Sequence, residues 1–166
     1  MARAERLQPL AMPPQPARAA PIDALPAQAV LLDTLGLAGT VEWHLRQFRK
    51  CTGIRYGLAI SDVAGFEPPE GPAGAIFGIC CEALSNAARH AGASLVIVEL
   101  TIARDEVALI VRDNGIGLAN AAPARRGGGL AAMRARSLAH RGSFEMSGTP
   151  SSGTTVTVRL PLPQAP

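Results

Sequence analysis

Apolar positions along the chain change period several times, and each change marks an element. Between residues 35 and 50, Leu37, Val41, Leu45 and Phe48 recur at helical spacing, with Glu42, Arg46 and Arg49 between them. That pattern predicts a helix, and Gly53 supplies a stop. Ile54, Tyr56, Leu58 and Ile60 then alternate with other residues, which predicts a short strand over 54–61. The stretch 62–74 holds Pro68, Pro69, Pro72 and three glycines and reads as a loop. A second helix fits 75–91. Two β-like runs follow, 95–102 and 107–112, separated by Ala103-Arg104-Asp105-Glu106, a hairpin-length connection. Residues 130–140 fit a third helix, with Leu130, Met133 and Leu138 apolar. The runs 143–147 and 154–160 read as closing strands joined by Gly148-Thr149-Pro150-Ser151-Ser152-Gly153. Helix, strand, helix, strands, helix, strands in that order predicts an α+β fold. The expected form is a two-layer sandwich, a mixed sheet with about three helices on one face.

Composition narrows this picture. The 166 residues suffice for one ordinary domain and are too few for two well-packed ones. Hydrophobic residues make up 48% and charged residues 17%, so a core is available. Aromatics are only 4%, so that core must be built from Ala, Leu, Ile and Val. Six of the fourteen prolines (Pro9, Pro13, Pro14, Pro16, Pro21 and Pro26) fall in the first 26 residues, where they remove backbone donors and block helix propagation. Residues 1–28 therefore read as a proline-rich, disordered leader, and 29–166 as the folded domain. A net charge of +3 is too mild to indicate nucleic acid. No apolar run approaches the roughly 18 residues of a membrane helix, and no secretion signal is visible at the start. Cys51 and the adjacent pair Cys80 and Cys81 match neither a disulfide framework nor zinc-ligand spacing, and read as thiols of a cytoplasmic protein.

Four segments can carry chemistry. In the second predicted helix, Glu82, Asn86 and His90 drift only about 40° per step and line one face, with Arg89 at its edge. A carboxylate can orient an attacking group, an amide oxygen is a hard ligand for Mg²⁺, and a cation meets phosphate. By itself the stripe also reads as the wet side of an amphipathic helix. Asp113-Asn114-Gly115-Ile116-Gly117 directly follows a predicted strand. Its glycines allow backbone to approach a flat ligand, and Asp113 can accept from an exocyclic amine such as that of adenine. It is equally a common turn sequence. Arg125-Arg126-Gly127-Gly128-Gly129-Leu130 precedes a helix, where free N–H groups and the helix dipole favour anions. It lacks the Lys-Ser/Thr of a Walker motif and does not follow a first βα unit, which argues against a Rossmann site. Gly153-Thr154 opens the last strand, where a threonine hydroxyl could reach a ligand or simply face solvent.

Together, in this order, the segments resemble the ATP-binding domain of sensor histidine kinases, in the superfamily shared with DNA gyrase, Hsp90 and MutL proteins. Glu82 to His90 is similar to the family's N-box, and Asp113 to Gly117 to its first glycine box. Gly127 to Leu130 is similar to the second glycine box, and Gly153-Thr154 to the final turn. The resemblance runs from about Leu31 to Pro161. It is closest to the subfamily whose response regulators carry helix-turn-helix domains, through Leu32-Asp33-Thr34-Leu35-Gly36-Leu37, Cys51-Thr52-Gly53-Ile54 and Met133-Arg134-Ala135-Arg136.

The resemblance implies ATP and Mg²⁺ as ligands. Glu82 would be the general base or orienting carboxylate and Asn86 the metal ligand. Arg89 stands where the family usually has lysine near phosphate, and His90 belongs to the same box. Asp113 would read the adenine amine over Gly115 and Gly117. Gly127, Gly129 and Leu130 would shape the phosphate end of a mobile lid over 118–126, and Thr154 would complete the site. The implied partners are a response regulator and a histidine-bearing dimerisation domain in trans. The family's dimerisation helices are missing here, and none of His44, His90 or His140 is followed by an acidic residue in the acceptor pattern. His44 is expected to be a partly exposed helical histidine. Two other readings stand beside this one: a free-standing anti-sigma-factor type serine kinase, and a non-enzymatic nucleotide-binding interaction module. Direct nucleic-acid binding would rest on the net charge alone.

Overall fold

Alternation decides the sheet. In β2 (Leu95–Ile102), Val96, Val98, Leu100 and Ile102 are buried while Ile97 and Thr101 are exposed. In β3 (Glu106–Asp113), Val107, Leu109 and Val111 are buried in the same phase. The two strands pair antiparallel through the predicted hairpin, with Val98 opposite Val111 and Ile102 opposite Val107. Such a register is strongly specified, since a slip by one residue would turn every buried side chain to solvent. The protein is seen in a computed structural model that describes residues 25–117, 128–149 and 152–163.

β1 (Arg55–Asp62) joins β2 in parallel, and β5 (Thr154–Pro161) lies between β3 and β4 (Ser143–Gly148), antiparallel to both. The sheet order is β1-β2-β3-β5-β4. Helices α1 (Leu25–Thr52), α2 (Glu70–Asn86) and α3 (Gly128–Ala139) supply the second layer. Leu37, Val41, Leu45, Ile76, Phe77, Ile79, Leu84 and Met133 meet the buried face of the sheet. The opposite face carries the exposed ion pairs Glu99–Arg112 and Glu106–Arg159. This is the two-layer α+β sandwich expected from the order of elements.

Three expectations are corrected. The first helix starts at Leu25, not near 35, because it is two helices joined at Gly36, whose φ of 66° breaks the helical path. The Glu67 carboxylate accepts from Leu37 N–H at 3.2 Å and so caps the second half. Residues 25–28, grouped with the leader on composition, open this helix, and a proline in a first turn costs no hydrogen bond. The second helix starts at Glu70 and not at 75. Pro69 caps it and Pro72 sits in its first turn, where the missing N–H is an orphan anyway. Finally, His44 is buried, 5% exposed, edge-on to the Phe77 ring at a centroid distance of 5.5 Å. Burial lowers its pKa below the usual histidine value. It fills the α1–α2 interface and is not a solvent-facing residue. Residues 1–24 and the lid over 118–126 lie outside the described residues.

Candidate functional site

The last turn of α2 does not end as an α-helix. It widens into a π-turn over Ala87–Ala91 and stops at Gly92, in the left-handed region with φ 59°. A π-turn inserts an extra residue into the helical path, and such turns recur at functional sites. Here it turns both Arg89 and His90 toward the same cavity as Glu82, Ala83 and Asn86. It also aims the Ala91 carbonyl at the glycine turn, where it accepts from Ile116 N–H at 2.9 Å.

Asp113 ends β3 and organises that turn. Its Oδ1 accepts from Gly115 N–H at 2.8 Å and from Thr154 N–H at 3.2 Å. One carboxylate oxygen thus staples the end of β3 to the start of β5, and the other accepts no hydrogen bond among the described residues. Asn114 does the turn's structural work. Its side-chain oxygen accepts from Ser94 N–H and Leu95 N–H at 2.9 and 3.0 Å, tying the turn to the start of β2. Both residues thus hold the turn, and of the two only Asp113 lines the cavity.

Backbone closeness requires the glycines. A Cβ on Gly117, whose φ is 75°, would collide with the Thr149 carbonyl, and one on Gly153, whose φ is 80°, with the Asp113 carbonyl. A Cβ on Gly115 would collide with Ala91. Gly115 consequently packs behind the cavity wall, whereas Gly117 lines it.

The cavity encloses about 430 Å³, within the range of small-molecule and cofactor sites. It gathers Glu82, Asn86, Arg89, His90, Asp113, Gly117, Gly129, Leu130 and Thr154. Gly127, singled out from the sequence, lies outside the described residues. The resemblance put the pocket floor at Gly115 and Gly117, and an apolar floor of strand residues was not foreseen. Val111, Val156 and Met146 are register partners across β3, β5 and β4 and present one apolar surface to the cavity. The available signal was parity, since 111 shares its strand phase with Asp113 and 156 with Thr154. Arg89 makes no ion pair among the described residues, so its charge is uncommitted. Cys80 and Cys81 are buried in α2. Burial raises both thiols, Cys81 to about 12 even with Arg136 pulling the other way.

Residues 73–164 match the model of the histidine kinase-, DNA gyrase B-, and HSP90-like ATPases. The chain belongs to that ATPase family. Within it, the chain is 37% identical over 136 residues to the sensor histidine kinase NarS of Mycobacterium tuberculosis, covering 80% of this chain and 31% of NarS. It is 36% identical over 103 residues to the sensor protein VraS of Staphylococcus haemolyticus, covering 62% of this chain and 30% of VraS. The chain thus spans about a third of the length of these relatives. Its fold is that of the histidine kinase domain of the Erythrobacter litoralis EL346 blue-light activated kinase. That match has a TM-score of 0.61 at 18% identity, over 82% of this chain and 74% of that one. Full-length ShkA, solved with AMPPNP, matches with a TM-score of 0.60 at 24% identity, over 78% of this chain and 30% of ShkA. The chain carries an ATP-binding domain similar to those of sensor histidine kinases. None of its described helices is long and apolar enough to cross a membrane.

Proposed function

We propose that this domain binds Mg-ATP in the cavity and passes the γ-phosphoryl to a histidine on another chain, from which a response regulator receives it. The observation that carries this reading is the composition of the cavity's two ends. An acidic acceptor beside an apolar floor, Asp113 with Val111, Met146 and Val156, suits a flat base bearing an amine. The other end offers Glu82, Asn86, Arg89 and the first turn of α3, which suit a polyphosphate and its attacker.

Asp113 accepts from the adenine amine through its uncommitted oxygen. Arg89 and the free N–H groups at the start of α3 meet the phosphates. Glu82 accepts the N–H proton of the attacking imidazole as the new N–P bond forms and the bond from the γ-phosphorus to the bridging oxygen breaks, releasing ADP. The residues present fit Mg²⁺. Asn86 offers an amide oxygen, and no group of three or more His, Cys, Asp and Glu side chains is gathered among the described residues. Such a sparse donor set suits an ion that keeps several waters and leans on substrate phosphates, where it neutralises charge. Most of the catalysis is positioning and electrostatics. His44, buried between α1 and α2, is badly placed to be the acceptor, which supports an acceptor in trans. ATP as substrate and three free thiols support a cytoplasmic setting.

Asp113→Asn tests the base end. The amide keeps an oxygen for the backbone staple and loses the charged acceptor, so ATP affinity falls by about 10- to 100-fold with little change in melting temperature. Titration calorimetry with Mg-ATP measures it. Unchanged affinity would show that the base binds elsewhere, and no binding by the wild type at millimolar nucleotide would sink the proposal. An acid-labile product on an added histidine-bearing dimerisation domain identifies phosphohistidine, and an acid-stable one the serine-kinase alternative.

A further inference from the structure

The glycines at the start of α3 are not equivalent. A Cβ built on Gly128 meets nothing within 4 Å, so bare backbone there is open to any ligand. A Cβ built on Gly129 would collide with Oε1 of Glu82 and stand 2.8 Å from its Cδ. The carboxylate of Glu82 therefore lies against the α-carbon of Gly129. The geometry points to Gly129 as a positioning residue for Glu82: the missing side chain holds open the space in which that carboxylate lies.

The three atoms nearest such a methyl group all belong to the Glu82 side chain. Along the rest of the α2–α3 contact, the Arg136 side chain lies on Gly78, with Nε at 3.5 Å from where a Cβ would stand. His140 lies in the same way on Gly71, at 3.0 Å. Met133 between them is fully buried. The far end of α3 is pinned as well. Ser137 Oγ donates to the Ser143 carbonyl at 2.9 Å, and the Ser137 carbonyl accepts from Gly142 N–H at 3.0 Å. A side chain at 129 must therefore displace the Glu82 carboxylate, and the space it needs is the space the carboxylate occupies. This deepens the reading of Glu82 as the orienting base and rests on it for its functional meaning. The contact itself can be tested without that reading.

The test uses the full chain as wild type, Gly129→Ala, Glu82→Ala, the double variant, and Gly74→Ala as a control on α2 whose added methyl also meets nothing. The side-chain carboxyl ¹³C resonance of Glu82, assigned by its loss in Glu82→Ala, moves in Gly129→Ala and stays in Gly74→Ala. Gly129→Ala raises the melting midpoint in the Glu82→Ala background, as alanine for glycine does within a helix, and gives less of that gain, or a loss of up to about 4 °C, in the wild-type background. Should the single variant fail to fold, the double variant still folds. An equal change of stability in both backgrounds overturns the proposal, as does an unmoved Glu82 signal. Absence of ATP binding by the wild type would defeat the functional reading separately, with the coupling between 82 and 129 still deciding the contact.

Discussion

The two ends of α2 are held by opposite means. Toward its start and middle, the helix meets α1 and the sheet through large apolar side chains, with Ile76, Phe77 and Ile79 essentially inaccessible to solvent. Toward its end, the π-turn, the 113–117 turn, Thr149 and Gly153 meet through backbone, with glycines where Cβ atoms would collide. One end is made of atoms that must be present, the other of atoms that must be absent. The first gains its stability from burial, roughly 25 cal/mol per Å² of apolar surface. The second closes through short backbone contacts, with Ile116 N–H on the Ala91 carbonyl and Thr154 N–H on the Asp113 carboxylate. A chain with few aromatics can still build the first end from branched aliphatics, but nothing except glycine will serve the second.

Breaking the packed end has the largest expected effect. Phe77→Ala removes a fully buried ring at the α1–α2 interface, at a cost of about 3–5 kcal/mol, read by urea unfolding. A loss below about 1 kcal/mol would show that this interface is not close-packed. Adding atoms at the glycine end comes next. Gly153→Ala places a methyl against the Asp113 carbonyl at a positive φ, at a cost of about 2–4 kcal/mol in the same assay and a loss of ATP affinity, because the Asp113 staple to Thr154 is disturbed. A Gly153→Ala protein of wild-type stability would erase the contrast between the two ends. The smallest effect belongs to His44. Its pKa in the folded protein is depressed by burial, so the unfolded chain binds the proton more readily. Stability is then full above about pH 6.5 and falls as the pH drops below it, by at most about 1.4 kcal/mol per pH unit. Replacing His44 by Gln removes that part of the slope, which melting curves between pH 8 and 5 will show. An unaltered slope would assign it to other groups.

Much of this was legible in the chain. The phase of Val96, Val98, Leu100 and Ile102 against Val107, Leu109 and Val111 marks a half-buried hairpin, because strand geometry sends alternate side chains to opposite faces. The stripe of Glu82, Asn86 and His90 was visible for the corresponding helical reason. Prolines misled at the start of α2, where Pro69 and Pro72 act as an opening and not as a break. His44 misled because an imidazole carries no local sign of which way its helix faces. The apolar floor was hidden because Val111, Met146 and Val156 look like any other strand residues until β5 pairs between β3 and β4.

What the sequence by itself determined is what depends on neighbours along the chain. That includes the helical and strand periods, the α+β order, the stripe of Glu82, Asn86 and His90, and the need for glycine where backbone must bend. What only the tertiary structure decided is which distant groups meet. Examples are the π-turn docked on Ile116, the Asp113 staple across 41 positions to Thr154, and Glu82 lying against Gly129. The physical reason is that periodicity is a property of local backbone geometry. Steric exclusion between segments far apart in sequence exists only once the sheet order and helix packing have brought them into contact.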